Sequence, residues 1–467
     1  MSTADPDFRA LDAKIQAGMA RYGIPGVAVG VLAQGREYVR GYGVTNIDYP
    51  VPVDGDTLFR IASTTKTVTG TTVMRLVEQG KLDLDTPVRT YLPGFQTCDP
   101  KVAPCDPAVA PRVTLRQLLN HSAGWLGDDF EDTGRWHDAL TRYVAGMARL
   151  PQVTPPGTAF HYNNAAIVLA GHVLEVVVGQ PYEEVVRALL LEPLKLDHSF
   201  FFSDEIVGFN VAASHDVVDG RPVVRPALWR HQRSQRPTGG LISSARDQLQ
   251  YARFHLGDGT APDGTRLLSQ ASLVAMCSNT GPGGTMMVEL DGMGVTWMLR
   301  PSSEGVRIVQ HGGALPGQRS GFLMVPERGF AFTMLTNSDG GEQLHNDLFV
   351  DDWALRRFAG ISNLPAVPRA LSSGELAPYE GRYVRQAITP DGAKAEIVVE
   401  LRGDQGQLHM TETPTGKESR LAFYRDDYVL VLDATGKPVG SRSDFLRDAK
   451  GGVAWLRNHG RLFRHVG

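Results

Sequence analysis

Apolar and polar positions follow several rhythms along this chain, and each predicts a different element. Phe8, Leu11, Ile15 and Met19 recur at helical spacing, which predicts a helix over 8–22. The run Gly26–Leu32 (GVAVGVL) is short and apolar throughout, the pattern of a buried strand; Gln34-Gly35 reads as a turn and Glu37–Tyr42 as a second strand. A helix is predicted from Ser63 to Glu78, ended by Gly80. Further helical patches fall at Leu115–Asn120, Trp136–Ala148, Asn164–Val178, Tyr182–Leu191 and Ala245–Leu256, separated by Pro/Gly-rich loops. Strands return at Gly294–Arg300, Val306–Gln310, Gly321–Val325 and Phe330–Asn337, and a last helix covers 341–359. Strands at both ends with helices between them predict an α+β domain: one antiparallel sheet built from the two ends, flanked by helices, with a helical lobe inserted.

After the Pro/Ser-rich stretch SNLPAVPRALSSG the texture changes. From Tyr379 to His465 short alternating runs are separated by Gly and Asp turns, about eight strands in roughly 90 residues, which predicts a small antiparallel barrel. The expected organisation is therefore a main domain over 1–361, a linker over 362–374 and a β-barrel domain over 375–467.

Composition narrows the class. The 467 residues are 42% hydrophobic and 21% charged, with a formal net charge of −4. That is a globular profile without the basic excess that would favour nucleic acid or an anionic membrane surface. The N-terminus has no basic region followed by an apolar run, and no stretch reaches the length of a membrane span, so the expected compartment is the cytoplasm. Three cysteines make no disulfide framework; a loop-closing Cys98–Cys105 bridge stays open, though a reducing compartment disfavours it. No CxxC, HExxH or His/Asp cluster is present, so neither metal nor cofactor is expected.

Three short motifs carry chemistry. Ser63-Thr64-Thr65-Lys66 places a hydroxyl and an amine three residues apart, on one face of a helix start. A serine hydroxyl needs a neighbouring base to become a nucleophile, and a lysine shielded from water can serve once it loses its proton. Tyr162-Asn163-Asn164 offers a phenol that relays a proton and an amide that holds a substrate carbonyl; equally, Tyr162 reads as a half-buried aromatic and Asn164 as a helix N-cap. His311-Gly312-Gly313-Ala314 follows an apolar run, and its glycines suggest close approach of another backbone or a ligand; the alternative is a plain turn at a strand end.

In this order and spacing the motifs resemble those of the serine β-lactamase and penicillin-binding-protein superfamily, specifically its class C-like branch with family VIII carboxylesterases and D-amino-acid peptidases. Segments Phe59–Val88, Thr114–Trp125, Pro155–Asn164 and Gly239–Phe254 add to the likeness, which spans about residues 8–360, and the tail resembles lipocalin-like barrels. The resemblance implies that Ser63 is the acylated nucleophile and that Lys66 and Tyr162 share the acid–base work. It implies that Asn164 contacts the substrate carbonyl, and that the Ser63 and Ala314 N–H groups form an oxyanion hole beside Gly313. His311 stands where the family usually has a lysine. A histidine gives a weaker anion site but still a hydrogen-bond donor, and with an ordinary pKa it would make activity fall at acid pH.

These readings lead to a serine hydrolase of carboxylic esters or lactones acting through an acyl-enzyme. The alternative is an amidase or D-amino-acid peptidase, with Asp128, Asp129 and Glu131 as anchors for a substrate amine; a β-lactamase or a non-catalytic penicillin-binding protein ranks lower. Trp125, Trp229 and Trp297 are candidate aromatic walls, Trp229 foremost because its loop is polar and arginine-rich. In that loop Arg230, Arg233 and Arg236 read as a solvated face or as carboxylate ligands. His121 and Ser122 read as structural. The expected partners are a small ester, lactone or amide and further copies of the chain, with no nucleic acid and no membrane.

Overall fold

Eight consecutive residues, GVAVGVLA, form strand β1 (Gly26–Ala33), and all but one are buried. Such a strand has to be covered on both faces. The computed structural model, which describes residues 5–97, 106–225, 232–413, 415–433 and 435–466, shows how. β2 (Arg36–Gly43) folds back through Gln34 and Gly35, both with positive φ, the geometry of a tight hairpin turn. The other neighbours come from far along the chain: β3 (Gly292–Met293), β4 (Met298–Pro301), β5 (Arg307–Leu315), β6 (Gln318–Val325) and β7 (Phe330–Thr336). The seven strands lie in the order β2-β1-β7-β6-β5-β4-β3, and every neighbouring pair is antiparallel. The sheet is thus built from both ends of the domain, as the strand pattern predicts.

Helix α1 (Pro6–Tyr22) covers one face, with Phe8, Leu11 and Ile15 buried against strand residues such as Val29 and Phe332. Its ends are fixed locally: the Asp5 side chain accepts from the Asp7 N–H, and Gly23 takes a left-handed C-cap. The other face packs on the larger core, which includes α2 (Thr65–Glu78), α3 (Asn164–Val178) and α4 (Ala245–Leu256). α2 is buried on nearly every side, and at Gly70 an added Cβ would lie 2.2 Å from Thr296 Oγ1, so only glycine lets that loop approach.

Two predicted helices differ from expectation. That over 136–148 is shorter, Ala139–Gly146. The helix over 341–359 is broken into Gly341–His345, a wider-wound Asn346–Val350 and a separate Leu355–Ala359. The break falls at Asp352, whose φ of +25° ends helical geometry. Trp125 and Trp297 are fully buried core residues rather than cavity walls, while Trp229, Arg230, Cys98 and Cys105 lie outside the described residues. Cys277 is a free thiol. Among the described residues no single helix is long and apolar enough to cross a membrane, and no cluster of potential ligands is suited to a metal ion.

The strands from Gly381 to His465 close into an eight-stranded antiparallel barrel, β8 (Gly381–Ile388) through β15 (Arg461–His465), with its own core around Tyr383, Phe423 and Phe445. It is bonded to the main domain at several points. Ile388 N–H donates to Asp128 O (2.8 Å), Arg442 N–H to Met287 O (3.0 Å), and Thr285 Oγ1 to Asp444 Oδ1 (2.6 Å). Removing the barrel leaves these polar groups and the apolar surface beneath them without partners. Truncation after Ile361 is therefore expected to lower the melting temperature by about 10 °C or more. Differential scanning fluorimetry of the truncated and full chains checks this.

Candidate active site

Ser63 stands at the foot of α2, in a single 3-10 turn, Ala62–Thr64, that leads into the helix. Ala62 holds φ = +49°, a left-handed conformation costly for alanine. Neighbouring strands fix this turn. Ile61 N–H donates to Leu241 O, and Ser320 Oγ donates to Ile61 O at 2.6 Å. From α2, Lys66 Nζ lies 3.0 Å from Ser63 Oγ and donates to Thr238 O at 2.8 Å. The amine is fully buried, and among the described residues no carboxylate comes within ion-pairing range. Burial, helped by the charge of Arg461 and opposed by Asp128, pushes its pKa well below the ordinary lysine value.

Tyr162 enters from the segment before α3. It lines the same cavity as Ser63, and Lys66 Nζ sits 5.0 Å from its ring centre. Burial raises the phenol to about 12, so it stays protonated at neutral pH. The N-cap of α3 is Asn163, not Asn164 as expected: Asn163 is extended and its side chain accepts from Ala166 N–H at 2.8 Å. Asn164 is thereby the first helical residue, and its amide is free to donate to Asp128 Oδ1 at 3.1 Å. His121, read as structural, holds the segment before α3: Nδ1 accepts from Asn163 N–H, and the ring lies against Tyr162 at 4.5 Å.

The His311 motif does not end a strand. β5 runs through it, pairing His311, Gly312, Gly313 and Ala314 with Phe322, Gly321, Ser320 and Arg319. The glycines serve close approach within the sheet: a Cβ on Gly313 would lie 2.2 Å from Ile61 O. His311 is buried, with Nδ1 2.8 Å from Gly312 O. Burial and the nearby Lys66 hold its pKa near 3, so the ring is neutral. A carbonyl oxygen only accepts, so the proton sits on Nδ1, and Nε2, which has no partner, presents a lone pair. His311 is therefore an acceptor rather than the expected donor, and it does not titrate near neutral pH.

Ser63, Tyr162, His311, Gly313 and Ala314 line one cavity of about 270 Å³, whose remaining wall combines apolar side chains, such as Met286, Val288, Met298 and Phe349, with polar ones, among them Arg300, Gln310, Arg319, Glu342 and Arg461. Methionines and phenylalanines thus stand where tryptophans were expected. The barrel also reaches in. Between β14 (Val453–Asn458) and β15, His459 and Gly460 both have positive φ and form a two-residue turn. Tyr162 N–H donates to Gly460 O at 2.8 Å, and the Arg461 guanidinium lies 4.6 Å from the Tyr162 ring centre. Arg461 and Arg385, both from the barrel, pair with Asp128 at 3.2 and 2.9 Å. Burial opposes the charge on Asp128, but these arginines prevail and hold its pKa at about 2.

The expected amine anchors are accordingly engaged. Asp128 is locked by barrel arginines, and Arg149 pairs with both Asp129 and Glu131. Arg233 and Arg236 are likewise paired, with Glu183, rather than solvated or free for a ligand. Sequence reasoning missed Arg461, Arg385 and the Met286–Val288 wall. The paired Gly-containing turn signalled a hairpin at 458–461, but no local pattern says where a barrel docks.

A serine at a helix start, an adjacent buried lysine and a tyrosine on the same cavity wall, at one end of a sheet-and-helix domain, are the arrangement of a serine hydrolase. The sequence matches the Beta-lactamase family over residues 11–355, and the chain belongs to that family. It is 35% identical over 372 residues to penicillin-binding protein 4 of Amycolatopsis lactamdurans, covering 79% of this chain and 95% of that one. It is 24% identical over 465 residues to the unguisins hydrolase ungD of Aspergillus violaceofuscus, covering 88% and 80%. Among solved structures, SurE with D-Leu superposes with a TM-score of 0.74 at 25% identity, covering 98% of this chain and 99% of that chain, barrel included.

The buried imidazoles set an acid limit to the fold. Burial holds His161, His255 and His311 near pKa 3 and His345 near 4. In the unfolded chain each returns to about 6.5, so between those values the unfolded state binds more protons and stability falls as pH falls. Each contributes a loss of up to ~1.4 kcal/mol per pH unit. The melting temperature is expected to drop steadily below about pH 6. A flat profile from neutrality to pH 4.5 would mean that these rings are charged in the fold.

Proposed function

We propose that Ser63 is the acylated nucleophile, Lys66 the base that takes its proton, and Tyr162 the acid that protonates the leaving group. One observation carries this reading. The Lys66 amine is buried 3.0 Å from Ser63 Oγ, and among the described residues its one hydrogen-bond acceptor besides Ser63 is a backbone carbonyl. A neutral amine there still donates to Thr238 O and offers its lone pair to the serine proton. Oγ then bonds to the substrate carbonyl carbon. The resulting oxyanion is held by the Ser63 and Ala314 N–H groups, with Asn164 and Gly313 at the substrate's side. Its collapse breaks the bond to the leaving group, which departs with a proton from the phenol, and the phenolate recovers a proton from the Lys66 ammonium, so that both groups are reset. Water repeats the sequence to release the acid. Lys66, with its lowered pKa, suits the base role better than Tyr162, held near 12.

For the substrate we favour an acyl group of amino-acid type, joined through an amide or an ester. His311 Nε2 has no partner and, as the unprotonated ring nitrogen, is an acceptor, which fits a substrate N–H better than a carboxylate. The D-Leu in the SurE structure and the hydrolase named for unguisins point the same way. The paired states of Asp128, Asp129 and Glu131 speak against anchoring a free amine there. Simple esters and lactones are the second reading, favoured by the apolar part of the cavity wall. We assign the chain to the class C-like branch, and its barrel to the lipocalin-like type.

The test compares N-acyl-D-alanyl p-nitroanilide, p-nitrophenyl esters, a lactone and a chromogenic β-lactam. Wild-type protein is expected to turn over the anilide and the esters, and Ser63→Ala to lose about 10³-fold or more. Undiminished turnover in Ser63→Ala would sink the assignment. The pH profile checks the base. Activity requires neutral Lys66, so kcat/KM rises with pH through the Lys66 pKa. Arg461 lowers that pKa and Asp128 raises it. Arg461→Met should therefore move the acid limb to higher pH, and Asp128→Asn should move it to lower pH. Shifts in the same direction would exclude Lys66 as the titrating base.

A further inference from the structure

Ser320, on β6, is buried in the wall of the catalytic cavity, and its backbone stands opposite Gly313 of β5. Its hydroxyl ties this strand pair to the turn that carries Ser63, and it does so at two places. Ser320 Oγ lies 2.6 Å from Ile61 O and 2.8 Å from Thr64 Oγ1. A carbonyl oxygen only accepts, so the one Ser320 hydroxyl proton is given to Ile61 O, and Thr64 Oγ1 donates to Ser320 Oγ. The result is a chain of two hydrogen bonds, Thr64 to Ser320 to Ile61, and all three residues are buried. Ile61 precedes Ala62-Ser63 and Thr64 follows it. One side chain therefore grips the turn on both sides of Ser63.

The grip has a strained segment to hold. Ala62, between the two attachment points, keeps φ = +49°, a conformation that an alanine leaves unless its surroundings hold it there. Gly313 supplies the room. A Cβ at that position would lie 2.5 Å from Ser320 Oγ and 2.9 Å from the Ala62 Cβ, so only a bare backbone lets the chain of bonds close. Ala314 follows Gly313 on the same strand. Through its pairing with Gly313 and its bond to Ile61 O, Ser320 thus connects the segments that carry the Ala314 and Ser63 N–H groups. Those segments lie more than 250 positions apart in sequence. An oxyanion hole works only where both donors are aimed at one point, because hydrogen bonds weaken steeply when misdirected.

We propose that Ser320 is a positioning residue whose hydroxyl fixes the spacing of the Ser63 and Ala314 N–H groups, and with it the stabilisation of the tetrahedral oxyanion. It acts through the turn and does not touch the reacting atoms. This rests on Ser63 being the acylated residue and on those two N–H groups holding the oxyanion. It extends that reading by naming what keeps the two donors in register. The competing role for Ser320 is that of a buried hydrogen bond that stabilises the fold and nothing more.

The experiment uses the full chain and matched p-nitrophenyl oxoesters and thionoesters, the latter with sulfur in place of the carbonyl oxygen. Sulfur accepts weak hydrogen bonds, so the ratio of the two kcat/KM values reports on the oxyanion donors. Ser320→Ala is expected to lower kcat/KM for the oxoester about 10-fold or more and to leave the thionoester nearly unchanged. Ser320→Cys, similar in size but a weaker donor, should fall between. A purely structural role would lower both substrates equally or neither, and an unchanged ratio overturns the proposal. Thr64→Val breaks the other link and should also lower the ratio. The double variant should be no worse than Ser320→Ala, because the chain runs through Ser320; fully additive losses would overturn it. If Ser320→Ala does not fold, Thr64→Val carries the test by the same ratio. Should wild-type protein turn over no ester or anilide, the Ser63 reading fails by itself. A crystal structure of Ser320→Ala then decides about the grip: Ala62 leaving the left-handed region supports it, and an unmoved turn overturns it.

Discussion

On the mechanism proposed for Ser63, everything at the catalytic end of this protein depends on keeping one amine dry. Lys66 in water would be an ammonium and useless as a base; buried, its charged form is penalised and the neutral amine becomes accessible. Three separate parts of the chain maintain that state. Tight packing of α2 against α3 closes one side. The glycines of β5 let the nucleophile turn lie flush on the sheet. The barrel tip closes the remaining side through Gly460 and Arg461.

The charges around the site follow from the same constraint. A carboxylate beside Lys66 would stabilise the ammonium, so the nearest one, Asp128, is occupied by Arg385 and Arg461 and held by Asn164. Its field still reaches Lys66 but is opposed by that of Arg461. His311 extends the pattern: near a lysine that must stay neutral, a second cation would be self-defeating only if it crowded the serine, and a buried neutral imidazole avoids the question altogether.

Much of this was legible in the residues. The helical spacing of Phe8, Leu11 and Ile15, the apolar run at Gly26–Leu32 and the alternation after Tyr379 gave α1, β1 and the barrel because each pattern has a single structural period. Ser63 and Lys66 were readable because their relation is local, one turn of helix. What resisted reading depends on contacts between distant segments. The choice of Asn163 over Asn164 as cap turned on one backbone angle. The state of His311 turned on a carbonyl and a burial that its own strand does not announce. The engagement of Asp128 turned on arginines more than 250 positions away in sequence. The break at Asp352 has no glycine or proline to mark it.

The two-residue turn at His459 and Gly460 carries a consequence of its own. It belongs to a barrel whose hydrogen bonding is closed on itself, so its strands do not rely on the tip for register. Ser63 and Lys66, the proposed nucleophile and base, belong to a different scaffold beneath it. Floor and roof of the cavity can thus diverge at different tempos: the floor is held to one chemistry, while the roof can be recut by altering a single hairpin. Relatives sharing this architecture would then differ most in what they admit and least in how they react with it.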